Sequence, residues 1–206
     1  MTPEQESDVS LLAEWQRGDK AAGDRLFVRH FHAVDRFFAN KTAAGEVQDL
    51  VQRTFMVAVE RAHTFAGRAS FRAFILGIAN NILREHYRAR VKGRHDDVDD
   101  HAIADLCAGP SSMVGAKEEQ RLLLAALRSL PLESQVILEL YFWEDLSGAQ
   151  LAEVLGIPEN TAWTRLRRAR LRVGEALERL ASSRALLEST RDGLEGWARS
   201  LRGASA

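Results

Sequence analysis

The stretch from Leu146 to Val173 constrains the fold most, because it consists of two short predicted helices joined by a tight turn. Ser147 is a favourable N-cap residue, and Gln150 three positions later completes a capping box, so a helix is predicted to begin at Ser147. Gly156 readily adopts the left-handed conformation that ends helices, and the proline and glutamate that follow suit the start of a second helix. A turn of about three residues is typical of a helix-turn-helix.

The second helix of this unit has an apolar stripe and a cationic face. The stripe, at intervals of four, three and four residues, is expected to face the core; it consists of Ala162, Leu166, Ala169 and Val173. The other face carries hydrogen-bond donors and cations that suit phosphates and base edges. The predicted DNA-contacting residues are Asn160, Trp163, Thr164, Arg165, Arg167 and Arg168. A solvated basic helix in an ordinary bundle is the alternative, and the capping and turn residues favour the DNA reader.

Composition excludes several classes of protein. A chain of 206 residues with 46% hydrophobic and 28% charged residues buries one moderate core or two small ones, and its net charge of −1 gives no general attraction to nucleic acid. The single cysteine, Cys107, excludes an internal disulfide framework, and no Cys/His spacing predicts a metal site. No leader sequence and no apolar run of the ~20 residues that span a bilayer is found. We expect a cytoplasmic chain without membrane insertion or cofactor.

Four amphipathic helices are predicted in the N-terminal half: Asp8 to Arg17, Lys20 to Lys41, Glu46 to Ala62, and one capped by Ser70. The second has a stripe at intervals of four, three and four residues, formed by Phe27, Phe31, Val34 and Phe38. The third is predicted to bury Val47, Leu50, Val51, Phe55, Ala58 and Val59. His30 and His32 are expected to be surface or packing residues, because they have no partner at ligand spacing.

The fourth helix ends in a basic segment that suits nucleic acid. From Arg84 to Arg94 there are five Lys or Arg residues against one Glu, with Tyr87 and two preceding asparagines available for stacking and base-edge contacts. The sign of the charge then reverses, because five aspartates occur between residues 96 and 105 without a cation. Residues 96–116 lack helical periodicity and are predicted to be a flexible acidic linker. A solvated tether without further function remains an equal alternative.

Helical patterns return at Lys117, and Pro131 opens a further helix before the helix-turn-helix, so residues 117–181 are predicted to form one four-helix module. Leucines recur every seven residues in the extension 182–206, which is expected to dock on this module rather than bind a partner. The prediction is therefore an all-α chain: two small helical domains joined by a flexible linker, the C-terminal one containing a helix-turn-helix.

Three runs resemble regions two and four of the extracytoplasmic-function sigma factors of bacterial RNA polymerase. They are DLVQRTFMVAVERA, FRAFILGIANNILREHYRAR and LSGAQLAEVLGIPENTAWTRLRRAR. The resemblance covers about Asp8 to Leu180. It implies a specificity subunit without catalytic residues, with core RNA polymerase and promoter DNA as partners. Residues 1–95 would be region two, 117–181 region four, and the linker would run through the polymerase cleft, where its acids mimic nucleic-acid charge.

The resemblance also implies roles for individual residues. The helix-turn-helix would read the −35 element. Region two would melt the −10 element, holding an exposed base with the loop between His63 and Ala69 and the start of the fourth helix. The residues assigned to −10 DNA are Arg68, Asn80, Asn81, Arg84 and Arg88, and those assigned to core polymerase are Asp49, Gln52 and Arg53.

The chain departs from the family pattern in its polymerase-binding helix, where Gln48 and Arg53 replace frequent acids. We hypothesise that phosphorylation of Thr42 or Thr54 by a Ser/Thr kinase restores the charge, since a phosphate adds about −1.5 to −2. An anti-sigma factor is another possible regulator. A stand-alone helix-turn-helix regulator that acts without polymerase is the alternative function. The sequence shows no catalytic nucleophile with a general base and no glycine-rich phosphate-binding loop, so it does not predict an enzyme.

Overall fold

The chain folds entirely into helices over residues 7–39, 41–65, 70–92 and 118–190, the part described by a computed structural model. The element bounds are α1 Asp8–Gln16, α2 Lys20–Ala39, α3 Ala44–Arg61, a 3-10 turn at Ala62–Thr64, α4 Phe71–Lys92, α5 Glu118–Arg128, α6 Leu132–Phe142, α7 Gly148–Leu155 and α8 Glu159–Leu180. We call residues 8–92 the first module and residues 118–180 the second module. The predicted linker, residues 96–116, lies outside the described residues.

The first module is a bundle of α1 to α4 around an aromatic and aliphatic core. Ser7 caps α1 by accepting from the Ser10 N–H at 3.1 Å, and Gly18, with φ 105°, makes the turn into α2. Ser70 caps α4, as predicted, by accepting from the Ala73 N–H at 3.1 Å. The core includes Phe37, Phe38, Leu50, Ile75 and Leu83, each at most 1% exposed. The four helices predicted for this half are therefore confirmed, with bounds that shift by at most two residues.

Some residues of the first module lie on a different side of their helix than the periodicity predicts. Phe31 and Val59 are 44% and 48% exposed, so their prediction as core residues was wrong. His30 is 5% exposed and is therefore a packing residue, one of the two expected alternatives; Asp8 of α1 supplies a hydrogen-bond partner that the spacing on α2 alone does not reveal. Tyr87, interpreted above as a stacking residue, is 3% exposed, and its hydroxyl donates to the Lys41 carbonyl.

The second module buries the predicted stripe of α8 against α5, α6 and α7. Ala162, Leu166, Ala169 and Val173 are all at most 5% exposed. Ser147 and Gln150 form the predicted capping box, with the Ser147 N–H donating to Gln150 Oε1 at 2.9 Å. Gly156 has φ 65° and ends α7 in the left-handed conformation. Each local signal of the helix-turn-helix is therefore confirmed.

The two modules pack directly against each other, with α7 lying on α4. The Asn80 side chain donates to the Val154 carbonyl at 3.4 Å, and Gln150 donates to the Ser70 hydroxyl at 3.1 Å. A Cβ added at Gly77 would lie 3.7 Å from the Val154 Cα, so the backbones approach closely at this point. We call this packing the closed arrangement. Nothing in the sequence pattern predicts it, because the residues in contact are far apart in the chain; buried apolar residues of both modules belong to one continuous core.

The chain continues beyond the second module as a helix over residues 184–190. Leu186 and Leu187 pack against the core, Thr190 is 2% exposed, and the Ser189 hydroxyl bonds Glu119 of α5 at 3.1 Å. This part of the extension docks on the second module, as predicted; residues 191–206 lie outside the described residues. No helix in the described ranges is long and apolar enough to cross a membrane.

The contact of Asp8 with α2 predicts a pH-dependent loss of stability. His30 lies 2.7 Å and Arg29 2.6 Å from the Asp8 carboxylate. The hydrogen bond from His30, helped by Arg29 and opposed by partial burial, lowers the pKa of Asp8 from 3.8 to about 2. A lowered pKa contributes stability that is complete above the unfolded value near 3.8 and disappears as the pH falls through about 2.

Replacing Asp8→Asn should therefore lower the free energy of unfolding at pH 7 by about 1–2 kcal/mol, a value discounted for the exposed part of the carboxylate. The difference from the parent chain should shrink below pH 4. Urea denaturation from pH 7 to 3 measures it, with exposed Asp24→Asn on α2 as the control. A difference that stays constant over this range contradicts the assignment.

Candidate nucleic-acid interface

The polar face of α8 is open to solvent. Asn160, Trp163, Thr164, Arg167 and Arg168 are all exposed. Arg165 is half-buried and donates to Glu133 of α6 at 3.3 Å, an ion pair exposed enough to exchange for a phosphate. All six residues predicted to contact DNA from this helix therefore lie on or beside one accessible face. The arrangement suits a helix that enters the major groove.

Trp163 is positioned by contact with the first helix of the helix-turn-helix. Its indole N–H lies 3.4 Å from Glu159 Oε1, and its ring meets Tyr141 edge-on at 6.1 Å. A Cβ added at Gly148 would lie only 2.5 Å from the indole nitrogen. The absence of a side chain at Gly148 therefore allows the ring to lie flat beside the start of α7, a contact that sequence reasoning missed.

A shallow depression of about 310 Å³ lies on the same side of α8. It is lined by Trp163, Leu166, Arg167, Arg170 and Leu171, and Leu171 is 60% exposed. Arg170 lies over the Phe142 ring, 5.6 Å from its centroid. The mixture of apolar side chains and guanidinium groups suits contact with a thymine methyl group beside a phosphate.

The basic half of α4 divides into an accessible part and a covered part. Asn81, Arg84 and Arg88 are exposed. Asn80 is 3% exposed, because α7 covers it in the closed arrangement. Arg68 lies outside the described residues. The structure therefore brings three of the residues predicted to bind −10 DNA together on the surface and holds a fourth beneath the second module.

A buried ion cluster lies beside this covered part of α4. Glu144, which follows α6, has a side chain with no exposed surface. Its carboxylate accepts from Arg36 of α2 at 2.5 Å and from Arg72 of α4, whose Nε lies at 2.8 Å and whose Nη2 makes a second contact. We call Arg36 and Arg72 the arginine cage. Glu144 is directed into it by a tight corner in which Asp145 adopts a φ of 55°, a conformation that Asp tolerates better than most residues.

A second ion pair joins the modules next to the cage. Lys41, at the end of α2, is 1% exposed and contacts Glu139 of α6, and its ammonium group also donates to the Phe37 carbonyl at 2.6 Å. Burial raises the pKa of Glu139, and the neighbouring Lys41 opposes that effect. Three cations of the first module thus face two acids of the second. Sequence reasoning missed all five residues, because they are far apart in the chain.

The residues assigned to core polymerase form an open face on α3. Asp49, Gln52 and Arg53 are exposed, and Arg53 lies 3.7 Å from Glu85. Met56 and Val59 continue this face and are 55% and 48% exposed. An apolar extension of a polar surface is typical of a protein-binding site.

Thr42 and Thr54, the hypothesised phosphorylation sites, are buried. Thr54 is 0% exposed and its hydroxyl donates to the Leu50 carbonyl at 2.8 Å; Thr42 is 4% exposed and donates to the Phe38 carbonyl at 3.1 Å. A kinase reaches neither hydroxyl in this conformation, so the closed arrangement gives the phosphorylation hypothesis no support. No group of His, Cys, Asp or Glu among the described residues has the geometry to hold a metal ion.

Comparison with known families assigns both modules. Residues 26–93 match the family described as Sigma-70 region 2, and residues 120–173 match the family described as Sigma-70, region 4. The chain is 30% identical over 191 residues to the RNA polymerase sigma-H factor of Pseudomonas aeruginosa, covering 85% of this chain and 96% of that protein. It is 27% identical over 178 residues to the ECF RNA polymerase sigma-E factor of Escherichia coli, and the match covers 81% of this chain and 92% of that protein.

Solved structures share the fold. CnrH, in complex with the cytosolic domain of CnrY, superimposes with a TM-score of 0.62 at 23% identity, covering 85% of this chain and 100% of that chain. The sigma factor RpoE of Bartonella quintana, in complex with the anti-sigma factor NepR, superimposes with a TM-score of 0.60 at 20% identity. The match covers 75% of this chain and 96% of that chain.

The contact between Gly148 and Trp163 is testable by substitution. Gly148→Ala should displace the indole from α7, because the new Cβ would overlap the indole nitrogen. The indole N–H resonance of Trp163 should shift in a ¹⁵N-resolved spectrum, while the other three tryptophans stay in place. Gly45→Ala, where nothing lies within 4 Å of the new Cβ, is the matched control. An unmoved Trp163 signal contradicts the contact.

Proposed function

This chain belongs to the sigma-70 family of RNA polymerase sigma factors, within its extracytoplasmic-function group, and on that premise we propose the following division of labour. It acts as an alternative sigma factor that binds bacterial core RNA polymerase and directs transcription initiation at a specific set of promoters. Residues 1–95 bind core polymerase and melt the −10 element, and residues 117–181 read the −35 element. Residues 96–116 connect them.

The observation that carries this proposal is the presence of both family regions on two separately built helical modules. Region 2 covers most of α2 and all of α3 and α4, and region 4 covers most of α5, all of α6 and α7, and the first two thirds of α8. A duplex reader and a module that takes unstacked bases require different surfaces. The α8 face offers the former, and the basic end of α4 offers the latter.

Particular residues carry each proposed contact. On the −35 element, Arg167 and Arg168 are the strongest candidates, since their guanidinium groups are exposed on the recognition face. On the −10 strand, Asn81, Arg84 and Arg88 meet bases and phosphates. On core polymerase, Asp49 and Gln52 supply the polar contacts.

An anti-sigma factor is the regulator that the comparisons favour. The B. quintana RpoE structure contains a bound anti-sigma factor. We propose that this chain has a partner of the same class. A Ser/Thr kinase would have to reach Thr42 or Thr54 in another conformation.

The stand-alone helix-turn-helix regulator is the less favoured function, since it does not account for the region 2 match over residues 26–93. In vitro transcription with core polymerase on genomic DNA fragments separates the two functions. A sigma factor yields core-dependent transcripts and defines the promoter sequence. Footprinting of DNA by the chain alone, without core-dependent transcripts, would contradict the proposal.

Replacement of the recognition arginines should weaken promoter recognition. Arg167→Ala or Arg168→Ala should cost about 1–3 kcal/mol of affinity if the arginine contacts a base, or lower the salt slope by about 1 if it contacts only phosphate. Anisotropy of labelled promoter DNA with the reconstituted holoenzyme, measured over a salt series, distinguishes the two. Arg184→Ala, at a side chain 90% exposed outside this face, is the control. An arginine whose loss changes neither quantity does not face DNA.

Replacement of Asp49 should weaken core binding instead. Asp49→Ala removes an exposed carboxylate from α3 without touching the core, so association with core polymerase should fall while the thermal midpoint stays unchanged. Surface plasmon resonance with immobilised core polymerase measures it, and exposed Asp24→Ala on α2 controls for charge. Normal association of Asp49→Ala contradicts the assignment. In the same assay, full-strength binding by unmodified protein from a host without Ser/Thr kinases rules out the phosphorylation hypothesis.

A further inference from the structure

The closed arrangement is incompatible with reading both promoter elements. The −35 and −10 elements lie roughly 25 base pairs apart, about 85 Å along B-form DNA at ~3.4 Å per base pair. In the closed arrangement α7 of the helix-turn-helix lies directly on α4, with Asn80 bonded to Val154. The modules must therefore separate when they engage a promoter. Separation removes Glu144 from the arginine cage.

The surface that separation exposes on the first module includes polar and cationic groups. They are Ser70, Arg72 and Asn80 on α4, with Arg36 and Lys41 beside them. When the second module leaves, Arg36, Lys41 and Arg72 lose the two acids that face them. Three cations beside a hydrogen-bonding asparagine, no longer facing these two acids, suit a polyanion.

The geometry of the cage indicates which anion it fits. Arg72 directs two nitrogens at one oxygen of Glu144, and Arg36 directs a third nitrogen at the other oxygen. Such convergent guanidinium groups bind carboxylate and phosphate oxygens in the same way. The Glu144 carboxylate therefore stands where two phosphate oxygens would lie.

We propose that Arg36 and Arg72 form an anion site that Glu144 fills in the closed arrangement and that a phosphate of single-stranded promoter DNA fills once the modules separate. The site rests on the proposed function, since it adds a strand contact to the −10 surface of α4. Glu144 and the DNA strand then compete for the same guanidinium groups. A DNA strand can replace Glu144 without a large free-energy cost, because the desolvation of a buried ion pair offsets much of the attraction between its charges.

The test compares two ways of breaking the same ion pairs in the full chain. Glu144→Gln should open the closed arrangement while keeping both arginines of the cage. Arg36→Gln with Arg72→Gln also opens it but removes the cage. Arg17→Gln with Arg25→Gln, two exposed arginines of the first module, makes the same change of charge elsewhere. Small-angle scattering reports opening, and anisotropy with a labelled single-stranded 12-mer of mixed sequence reports binding, since phosphate contacts are independent of sequence.

Opening by both cage variants, with a gain of ~10-fold or more in single-strand affinity for Glu144→Gln alone, supports the proposal. The salt slope of Glu144→Gln should be steeper than that of the double arginine variant by about 0.7, the value for one phosphate contact on a single strand. The control pair should bind with nearly the parent slope. An equal gain in single-strand affinity in both cage variants shows that the two arginines only hold the modules together, and it overturns the proposal. Opening of Glu144→Gln without a gain, or no opening, also overturns it.

Two further measurements keep the result unambiguous. If Glu144→Gln does not fold, as judged by circular dichroism, Glu144→Asp replaces it; the shorter side chain keeps the charge but reaches the cage poorly, so the expected direction is the same. Core-dependent transcription by the parent chain is measured separately. Its absence refutes the proposed sigma-factor function, whereas the single-strand comparison refutes only the anion site.

Discussion

The burial of one carboxylate organises the relation between the two halves of this protein. Glu144 has no exposed side-chain surface, and a lone buried charge would cost several kcal/mol. Arg36 and Arg72 satisfy it from two different helices of the first module, while Lys41 does the same for Glu139. Removing the two arginines would leave the Glu144 carboxylate buried without these ion pairs. The ion cluster thus specifies one relative position of the modules, although desolvation of the charges offsets much of their attraction.

The same packing determines which functional residues are available. The recognition face of α8 points away from the contact, so Arg167 and Arg168 remain exposed. The contact is made instead by α7, which covers Asn80 and the start of α4. The closed chain therefore exposes the face of α8 that we propose reads duplex DNA and the proposed polymerase contact Asp49, while Asn80, a residue of the proposed −10 surface, stays covered. A promoter strand or a partner protein that separates the modules would uncover it.

Local chemistry made much of this predictable from the sequence. Ser147, Gln150 and Gly156 act within a few residues of one another, so their capping and left-handed conformations follow from residue type. The stripe of α8 is likewise a property of one helix. Prediction was weaker where a residue's environment comes from another element: His30 is buried because Asp8 lies opposite, and Phe31 is exposed because Leu26, Val34 and Phe37 fill the core instead.

The sequence by itself determined the helices, the helix-turn-helix, its exposed arginines and the resemblance to sigma factors, since each depends on local periodicity or on motifs contiguous in the chain. Only the tertiary structure decided that α7 covers α4, that Gly148 makes room for Trp163, and that Glu144 enters a cage of two arginines. Arg36 and Glu144 are 108 positions apart. No periodicity relates charges at that separation, because their pairing depends on how the two modules pack against each other.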